Sequence, residues 1–137
     1  MKAVSRLRGM YDISQESWLR KGDLEHSLLN LIGSFGYRFL DMPILEPTEL
    51  FLRKSGGDLA SQIYGFTDAG SNRVSLRPEF TSSIMRHYVE HAEETTLPAR
   101  WQYCGPVFRY GSDSPSLNNG VGQFTQIGAE LIGSDDV

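Results

Sequence analysis

An amide and a carboxylate stand four residues apart near the end of the chain, in the stretch QFTQIGAELIG that covers residues 123–133. In a β-strand, side chains return to the same face every second residue, so Gln126, Gly128 and Glu130 are expected to share a face. Because Gly128 has no side chain, we expect a gap about one side chain deep between the other two. Acceptor oxygens around such a gap suit a ligand rich in N–H donors, such as an imidazole or an ammonium. The alternative is a solvated sheet face with an incidental glycine.

Three further side chains are candidates for the same site. Arg109 ends the preceding predicted strand, and a guanidinium can bind phosphate or carboxylate through two parallel hydrogen bonds. Glu79 and Thr81 follow Pro78 at the start of a predicted helix. An acidic residue there also stabilises the helix N-terminus without any ligand, and Arg109 could form an ordinary ion pair. Spacing alone leaves both interpretations open.

Other groups that could do chemistry give weaker signals. His87 and His91 have the i,i+4 spacing of two metal ligands on a helix, but no third ligand accompanies them, so we predict no metal site. Cys104 lies in a predicted strand and is interpreted as a small core residue. The glycine pair at 56–57 has neither the length nor the lysine of a phosphate-binding loop.

The composition is that of an ordinary globular chain. Its 137 residues are 39% apolar and 22% charged, and the formal net charge of -4 gives no general attraction to nucleic acid or anionic membranes. The single cysteine cannot form an internal disulfide, and no apolar run has the length of a membrane span. The N-terminus has no apolar signal segment. We therefore expect a cytoplasmic protein that makes no membrane contact.

The longest predicted element is a helix near the N-terminus. Its expected range is about 15–35, with Ser14 as the N-cap and Gly36 as the C-terminal stop. Four apolar residues recur at helical spacing and define one stripe along the helix. They are Leu24, Leu28, Leu31 and Phe35.

Shorter elements are predicted after this helix. One short strand is expected within 37–47, followed by a short helix that begins with Thr48 as its cap and ends at Gly56. A hairpin turning at 68–72 comes next, and then a helix whose first turn contains Pro78. The apolar stripe of this second long helix consists of Phe80, Ile84 and Tyr88.

Two longer strands are predicted at the end, within 100–110 and 122–133. A helix, a strand, a hairpin, a second helix and two long strands indicate an α+β domain with a mainly antiparallel sheet flanked by helices. The alternating strand–helix order of a doubly wound parallel fold is absent.

Four segments in this order resemble one known family. GYRFLDMPILEPTELFLRKSG, VSLRPEFTSSIMR, YCGPVFRY and QFTQIGAELIG are similar to the class II aminoacyl-tRNA synthetase core, in its histidyl-tRNA synthetase branch. By this resemblance, residues 1–137 form the N-terminal part of that core, with motif 1 at about 38–55, motif 2 at about 99–133 and motif 3 absent. The branch includes the synthetase and the regulatory subunit of ATP phosphoribosyltransferase, and GAELIG looks more like the regulatory subunit.

The resemblance implies roles for the candidate residues. The family's histidine pocket uses an acidic residue and a threonine, which fall on Glu79 and Thr81, and a glutamine and a glutamate, which fall on Gln126 and Glu130. The motif 2 arginine, which holds the α-phosphate of ATP or the carboxylate side of the substrate, falls on Arg109. These five residues are expected to bind an amino acid, with no catalytic residue and no metal among them.

The sequence departs from the synthetase pattern in the loop after Arg109. Gly111 and Ser112 stand where the synthetase motif has a glutamate and an arginine, and Asp113 is the only charged residue within 111–122. One fixed donor or cation at a site of developing charge is worth about 2.7–4 kcal/mol. Loss of several should weaken adenylate formation by orders of magnitude.

The favoured interpretation is a non-catalytic regulatory subunit of ATP phosphoribosyltransferase in histidine biosynthesis, sensing histidine in a synthetase-like pocket without a cofactor. Its implied partners are histidine, the short-form catalytic subunit of the transferase, and a second copy bound through motif 1, where Phe39, Ile44 and Leu45 would otherwise be exposed. One alternative is a fragment of histidyl-tRNA synthetase, which would use ATP, Mg²⁺ and tRNA. Another is a synthetase-like paralogue that binds a different amino acid or partner.

Overall fold

The computed structural model describes residues 3–53, 60–110 and 121–134. Within these ranges, no helix has both the length and the apolar character needed to cross a membrane. The helices and strands in chain order are α1 (Gln15–Ser34), β1 (Arg38–Phe39), β2 (Leu45–Pro47), α2 (Thr48–Leu52), β3 (Gly65–Thr67), β4 (Arg73–Leu76), α3 (Thr81–Glu90), β5 (Ala99–Phe108) and β6 (Gln123–Ile132).

The described strands form two three-stranded sheets. One has the order β1-β5-β6, in which β1 is parallel to β5 and β5 is antiparallel to β6. The other has the order β2-β4-β3 and is antiparallel throughout. The predicted α+β fold with a mainly antiparallel sheet is therefore confirmed, although the strands divide into two sheets.

The bounds predicted for α1 are confirmed, and so are the residues predicted to cap its start and to end it. The Ser14 hydroxyl accepts a hydrogen bond from the Ser17 amide at 3.3 Å, which satisfies one of the free amides of the first turn. Gly36 follows the helix with a φ of 84°, a left-handed conformation that glycine adopts without strain.

The apolar stripe of α1 does not face the sheet. The stripe formed by Leu24, Leu28, Leu31 and Phe35 is exposed to solvent. The helix instead approaches the β1-β5-β6 sheet through the side that carries Gly33, where the Gln102 amide nitrogen lies 3.3 Å from the position of a Gly33 Cβ. A glycine allows this close approach, since a methyl group at position 33 would require the Gln102 amide to shift.

The segment 37–47 contains two strands, β1 and β2, which belong to different sheets, where one strand was predicted. Thr48 is not the cap of α2, because Pro47 occupies that position. The Thr48 hydroxyl is instead buried and hydrogen-bonded to the Ser75 hydroxyl at 2.7 Å, which joins α2 to β4. Gly56, the predicted stop of α2, lies outside the described residues.

Helix α3 begins at Thr81, three residues later than the prediction that placed Pro78 in its first turn. The Pro78 carbonyl accepts a hydrogen bond from Arg109 Nε at 2.9 Å, so a side chain rather than a helical amide satisfies it. In the predicted apolar stripe, Phe80 and Ile84 are fully buried and Tyr88 is partly buried.

The buried core lies between α3 and one face of the β5–β6 hairpin. Its fully buried members are Met42, Phe80, Ile84, Tyr103 and Val107. The opposite face of the hairpin, which includes Gln102, receives α1. The face that carries Gln126, Gly128 and Glu130 is therefore the core face, and the candidate site lies at its polar margin.

His87 on α3 should make stability depend on pH. The rings of His87 and His91 lie 4.4 Å apart, and burial, then the charges of His91 and Arg86, lower the pKa of His87. As pH falls below about 6.5, the unfolded chain takes up this proton first, so the unfolding free energy falls until the pH reaches the lower folded-state pKa. We expect His87→Gln to lose less stability between pH 7 and pH 5.5 than the wild type. Urea titrations at both pH values measure this, and an exposed control, His26→Gln, should follow the wild type.

Candidate functional site

The hairpin register brings the candidate residues of β6 opposite defined residues of β5. Across the ladder, Trp101 pairs with Glu130, Tyr103 with Gly128 and Gly105 with Gln126. Because paired residues in an antiparallel ladder share a face, these six side-chain positions form one surface. The predicted alternation of Gln126, Gly128 and Glu130 on one face is confirmed.

The N-terminus of α3 supplies a direct partner to this surface. Thr81, the first residue of α3, donates its hydroxyl proton to Oε1 of Glu130 at 2.7 Å. Thr81 and Glu130 are 49 residues apart in sequence, so the fold and not local structure makes this contact. Within the described ranges, Oε2 of Glu130 takes no hydrogen bond. One carboxylate oxygen is thus fixed, and the other can accept an N–H group.

The gap expected above Gly128 is filled, so that expectation is wrong. The Tyr103 ring lies over the glycine, and a Cβ at Gly128 would be 2.3 Å from the phenol oxygen. Tyr103 is only 5% exposed and is stacked on Phe80, with ring centroids 4.5 Å apart and planes 13° apart. The glycine therefore makes room for a tyrosine of the neighbouring strand, and any ligand must lie beside the phenol.

Tyr103 lies close to the hydrogen-bonded pair of Thr81 and Glu130. Burial, followed by the negative charge of Glu130, raises the pKa of Tyr103, which keeps the phenol protonated at neutral pH. Sequence reasoning missed this residue, although alternation along β5 places it on the face of Arg109.

Gly128→Ala should displace the Tyr103 ring. The new methyl would lie 2.3 Å from the Tyr103 oxygen and 2.5 Å from its ring carbon Cζ, and the stacked ring has little room to move. We expect the unfolding free energy to fall by about 1–3 kcal/mol, as for other overpacked cores. Chemical denaturation measures this loss. The matched control is Gly22→Ala on α1, where a Cβ would meet nothing within 4 Å and should be neutral or stabilising.

The Gln126 side chain has an oxygen without a hydrogen-bond donor at the same polar margin of the core face. Its Oε1 atom is buried and has no hydrogen-bond partner among the described residues. A buried amide oxygen without a donor costs about 1–3 kcal/mol, so such atoms usually meet a donor in the functional state. Gln126 and Oε2 of Glu130 are therefore two acceptors available to a ligand.

Glu79 has a structural contact of its own. Both of its carboxylate oxygens accept the amide of Ser82, at 3.0 and 3.2 Å, so Glu79 caps α3 from outside the helix. This is the stabilising role that the sequence left open beside ligand binding. Glu79 does not bond to Thr81 or Glu130, but its charge contributes to the raised pKa of Tyr103.

Arg109 lies at the other end of the surface. Its Nε donates to the Pro78 carbonyl at 2.9 Å, and its guanidinium lies 5.2 Å from the centre of the Phe124 ring. Its two terminal nitrogens form no hydrogen bond or ion pair with any described residue. The alternative interpretation, in which Arg109 forms an ordinary ion pair, is therefore not seen within the described ranges. The positive charge of its guanidinium is available to an anion.

A buried arginine that the sequence analysis did not single out organises the segment before α3. Arg77 is 2% exposed, and it donates to the carbonyls of Pro106 at 2.8 Å and Met42 at 2.5 Å. Its guanidinium lies 4.0 Å from the centre of the Phe80 ring, and burial lowers its pKa. A Cβ at Gly105 would be 2.6 Å from Arg77 Nη2, so this glycine is required for the close approach. Arg77 thus ties the segment before α3 to β5.

Two further groups named in the sequence are the possible metal ligands and the single cysteine. No group of three or more histidine, cysteine, aspartate or glutamate side chains there could hold a metal ion. Burial raises the pKa of the Cys104 thiol, which disfavours the reactive thiolate. The loop at 111–120, whose lack of cations argued against adenylate formation, lies outside the described residues.

The fold and the site together define a class II aminoacyl-tRNA synthetase-like core. The protein belongs to the histidyl-tRNA synthetase family, because the family model described as histidyl-tRNA synthetase matches residues 9–137. Among curated relatives, a histidine–tRNA ligase from Pyrococcus horikoshii is 34% identical over 134 residues, covering 98% of this chain and 30% of the relative. Another, from Geobacter metallireducens, is 38% identical over 137 residues, covering 97% of this chain and 32% of the relative. The chain therefore spans about a third of the length of these relatives.

Solved structures agree with this family. Apo histidyl-tRNA synthetase from S. aureus matches with a TM-score of 0.78 and 32% identity, covering 97% of this chain and 30% of that one. A protein from Bacillus halodurans described as an ATP phosphoribosyltransferase regulatory subunit/histidyl-tRNA synthetase matches with a TM-score of 0.81 and 26% identity, covering 96% of this chain and 33% of that one. The same backbone is thus similar to proteins described by both names.

Proposed function

We propose that this chain is the amino-acid-sensing part of a non-catalytic regulatory subunit of ATP phosphoribosyltransferase, and that it binds histidine. The observation that carries the proposal is an asymmetry between two sides of the site. On the amino-acid side, Thr81 holds Glu130 in position and Gln126 presents a free acceptor. On the nucleotide side, the sequence from 111 to 122 contains no arginine or lysine.

Histidine suits the amino-acid side by its chemistry. Its imidazole offers an N–H donor to Oε2 of Glu130 or to the Gln126 amide oxygen, both of which lack a donor among the described residues. Its ammonium group suits the negative end formed by Glu79 and Thr81. Its carboxylate suits the terminal nitrogens of Arg109, which point to no described partner. We assign no catalytic role to any of these residues.

Adenylate formation places a different demand on the site. Charge builds up on the α-phosphate in the transition state, and fixed cations or donors must lie where it develops. Arg109 is one such group, and the loop that follows it provides a single charged side chain, Asp113, of the wrong sign. The proposal therefore includes neither ATP nor Mg²⁺ as a cofactor.

The proposed partners are the short-form catalytic subunit of the transferase and a second copy of this chain. A solved structure described as an ATP phosphoribosyltransferase regulatory subunit/histidyl-tRNA synthetase, with a TM-score of 0.81, supports the first of these. The motif 1 surface supports the second, because the apolar side chains of Phe39, Ile44 and Leu45 are exposed there.

A second candidate function has specific support. The curated relatives with 34% and 38% identity are named histidine–tRNA ligase. Under this alternative the chain is part of a ligase that activates histidine with ATP and Mg²⁺ and transfers it to tRNA. A third candidate is a paralogue that binds another amino acid or partner. Histidine-dependent exchange of pyrophosphate into ATP separates the first two, since the ligase catalyses it and the regulatory subunit does not.

A further inference from the structure

The N-terminal segment (residues 3–13) contacts the rest of the protein beside the base of the β5–β6 hairpin. Gly9 and Met10 are partly buried, and the other residues of this segment are exposed. The Gly9 carbonyl accepts a hydrogen bond from the amide of Gly122 at 2.7 Å. Gly122 is buried and directly precedes β6. Gly9 and Met10 therefore form the shielded part of the attachment of this segment.

The same contact continues to the backbone of Arg109. The Arg109 amide donates to the Gly122 carbonyl at 2.9 Å, one step beyond the ends of β5 and β6. The Tyr110 amide donates to the Gln62 carbonyl at 2.7 Å, so the next residue of the chain is held as well. The position of the Arg109 main chain thus depends on Gly122, and the position of Gly122 depends on Gly9.

The junction between the two glycines has little free space. A Cβ at Gly122 would lie 3.1 Å from the Tyr64 hydroxyl and 3.4 Å from both the Gly9 carbonyl oxygen and Met10 Cε. Gly9 has a φ of 79°, a left-handed conformation that residues with a side chain rarely adopt. Any other residue at position 9 is therefore strained there, and relief of that strain moves the carbonyl that Gly122 needs.

We propose that docking of the N-terminal segment through Gly9 positions the Arg109 guanidinium and so regulates recognition of the ligand's carboxylate. This role rests on the proposed function, in which Arg109 binds the carboxylate of histidine. Because most of the segment is exposed, its detachment breaks few buried contacts. A ligand that needs Arg109 in place binds better when the segment is docked, and by linkage its binding holds the segment docked. Gly9 is a positioning residue, since it acts through Gly122 and Arg109.

The test compares histidine with histidinol, in which a hydroxymethyl group replaces the carboxylate. Both are titrated into the full chain by calorimetry, and the ratio of their Kd values measures the contribution of the carboxylate. We expect histidinol to bind the wild type about tenfold or more weakly. Gly9→Ala should reduce this ratio to about threefold or less, through weaker binding of histidine and little change for histidinol.

Gly36→Ala is the matched control. Gly36 has a φ of 84° at the end of α1, so the substitution imposes similar backbone strain away from the site and should keep the wild-type ratio. Circular dichroism checks that both variants are folded. An unchanged ratio in Gly9→Ala, with histidine still bound, overturns this role of Gly9 alone. A wild type that does not bind histidine overturns the proposed function and this role with it.

Trypsin gives a second measurement that a merely structural role of Gly9 would not affect. Arg8 is exposed and directly precedes Gly9, so cleavage after Arg8 reports on detachment of the segment. Saturating histidine should slow this cleavage in the wild type by about threefold or more, whereas saturating histidinol should not. Gly9→Ala should be cleaved at the same rate with and without histidine. Wild-type cleavage that histidine leaves unchanged also overturns the proposed coupling.

Discussion

Replacing Glu130 by alanine should weaken histidine binding by about 100-fold or more while the chain stays folded. One oxygen of the carboxylate is held by Thr81 and the other is available to the ligand, and a hydrogen bond to a charged group is worth about 1.5–3 kcal/mol. Removal of the carboxylate also frees the Thr81 hydroxyl, which then competes for other partners. Isothermal titration calorimetry with histidine measures the loss, at 1.36 kcal/mol for each factor of ten.

A second variant separates charge from shape in this experiment. Glu130→Gln keeps an oxygen that can accept from Thr81 but lacks the negative charge, so it should fold like the wild type and still lose most of the affinity. Glu90→Gln, at the exposed end of α3, removes an equal charge outside the site and should bind histidine normally. Unchanged affinity in both Glu130 variants would rule out its assigned role.

Replacing Arg77 by methionine should have the largest effect on stability. The change keeps much of the side-chain volume but leaves the carbonyls of Pro106 and Met42 without their donor. A buried polar group without a partner costs about 1–3 kcal/mol, so the unfolding free energy should fall by about 2–5 kcal/mol. Urea denaturation followed by circular dichroism gives this value.

The control for this variant is Arg73→Met on β4, since Arg73 is exposed and its side chain has no partner within the described ranges. It should change stability by no more than about 0.5 kcal/mol. An Arg77→Met protein that loses less than about 1 kcal/mol would show that the two carbonyls find other donors, and Arg77 would then not tie the segment before α3 to β5.

The site shows what alternation along a strand can and cannot predict. Period two correctly placed Gln126, Gly128 and Glu130 on one face. It could not show that Tyr103 covers Gly128, because this depends on the register between β5 and β6, and a single strand does not contain that information. The sequence placed Gly128 on the correct face, but the space above this glycine holds the Tyr103 ring and not a ligand.

The helices also separate the features that the sequence predicts from those that it does not. Capping residues predicted the ends of α1, since Ser14 and Gly36 act within a few residues of chain. The apolar stripe of α1 did not reveal which side meets the sheet, because periodicity identifies an apolar side without identifying what covers it, and the side that carries Gly33 makes the contact. The sequence analysis missed Arg77 because arginine is usually a surface residue. Only the tertiary structure shows the buried side chain and the carbonyls that accept its hydrogen bonds.

The central claim is that this site keeps an amino-acid pocket and lacks the means to activate the amino acid with ATP. The most direct test measures histidine-dependent exchange of labelled pyrophosphate into ATP by the full-length natural protein, with histidine binding measured on the same preparation. We predict that histidine binds and that exchange stays at the level seen without histidine, because residues 111–122 contain no arginine or lysine. Exchange that rises with histidine and is lost in Glu130→Ala would contradict the claim and establish the ligase instead.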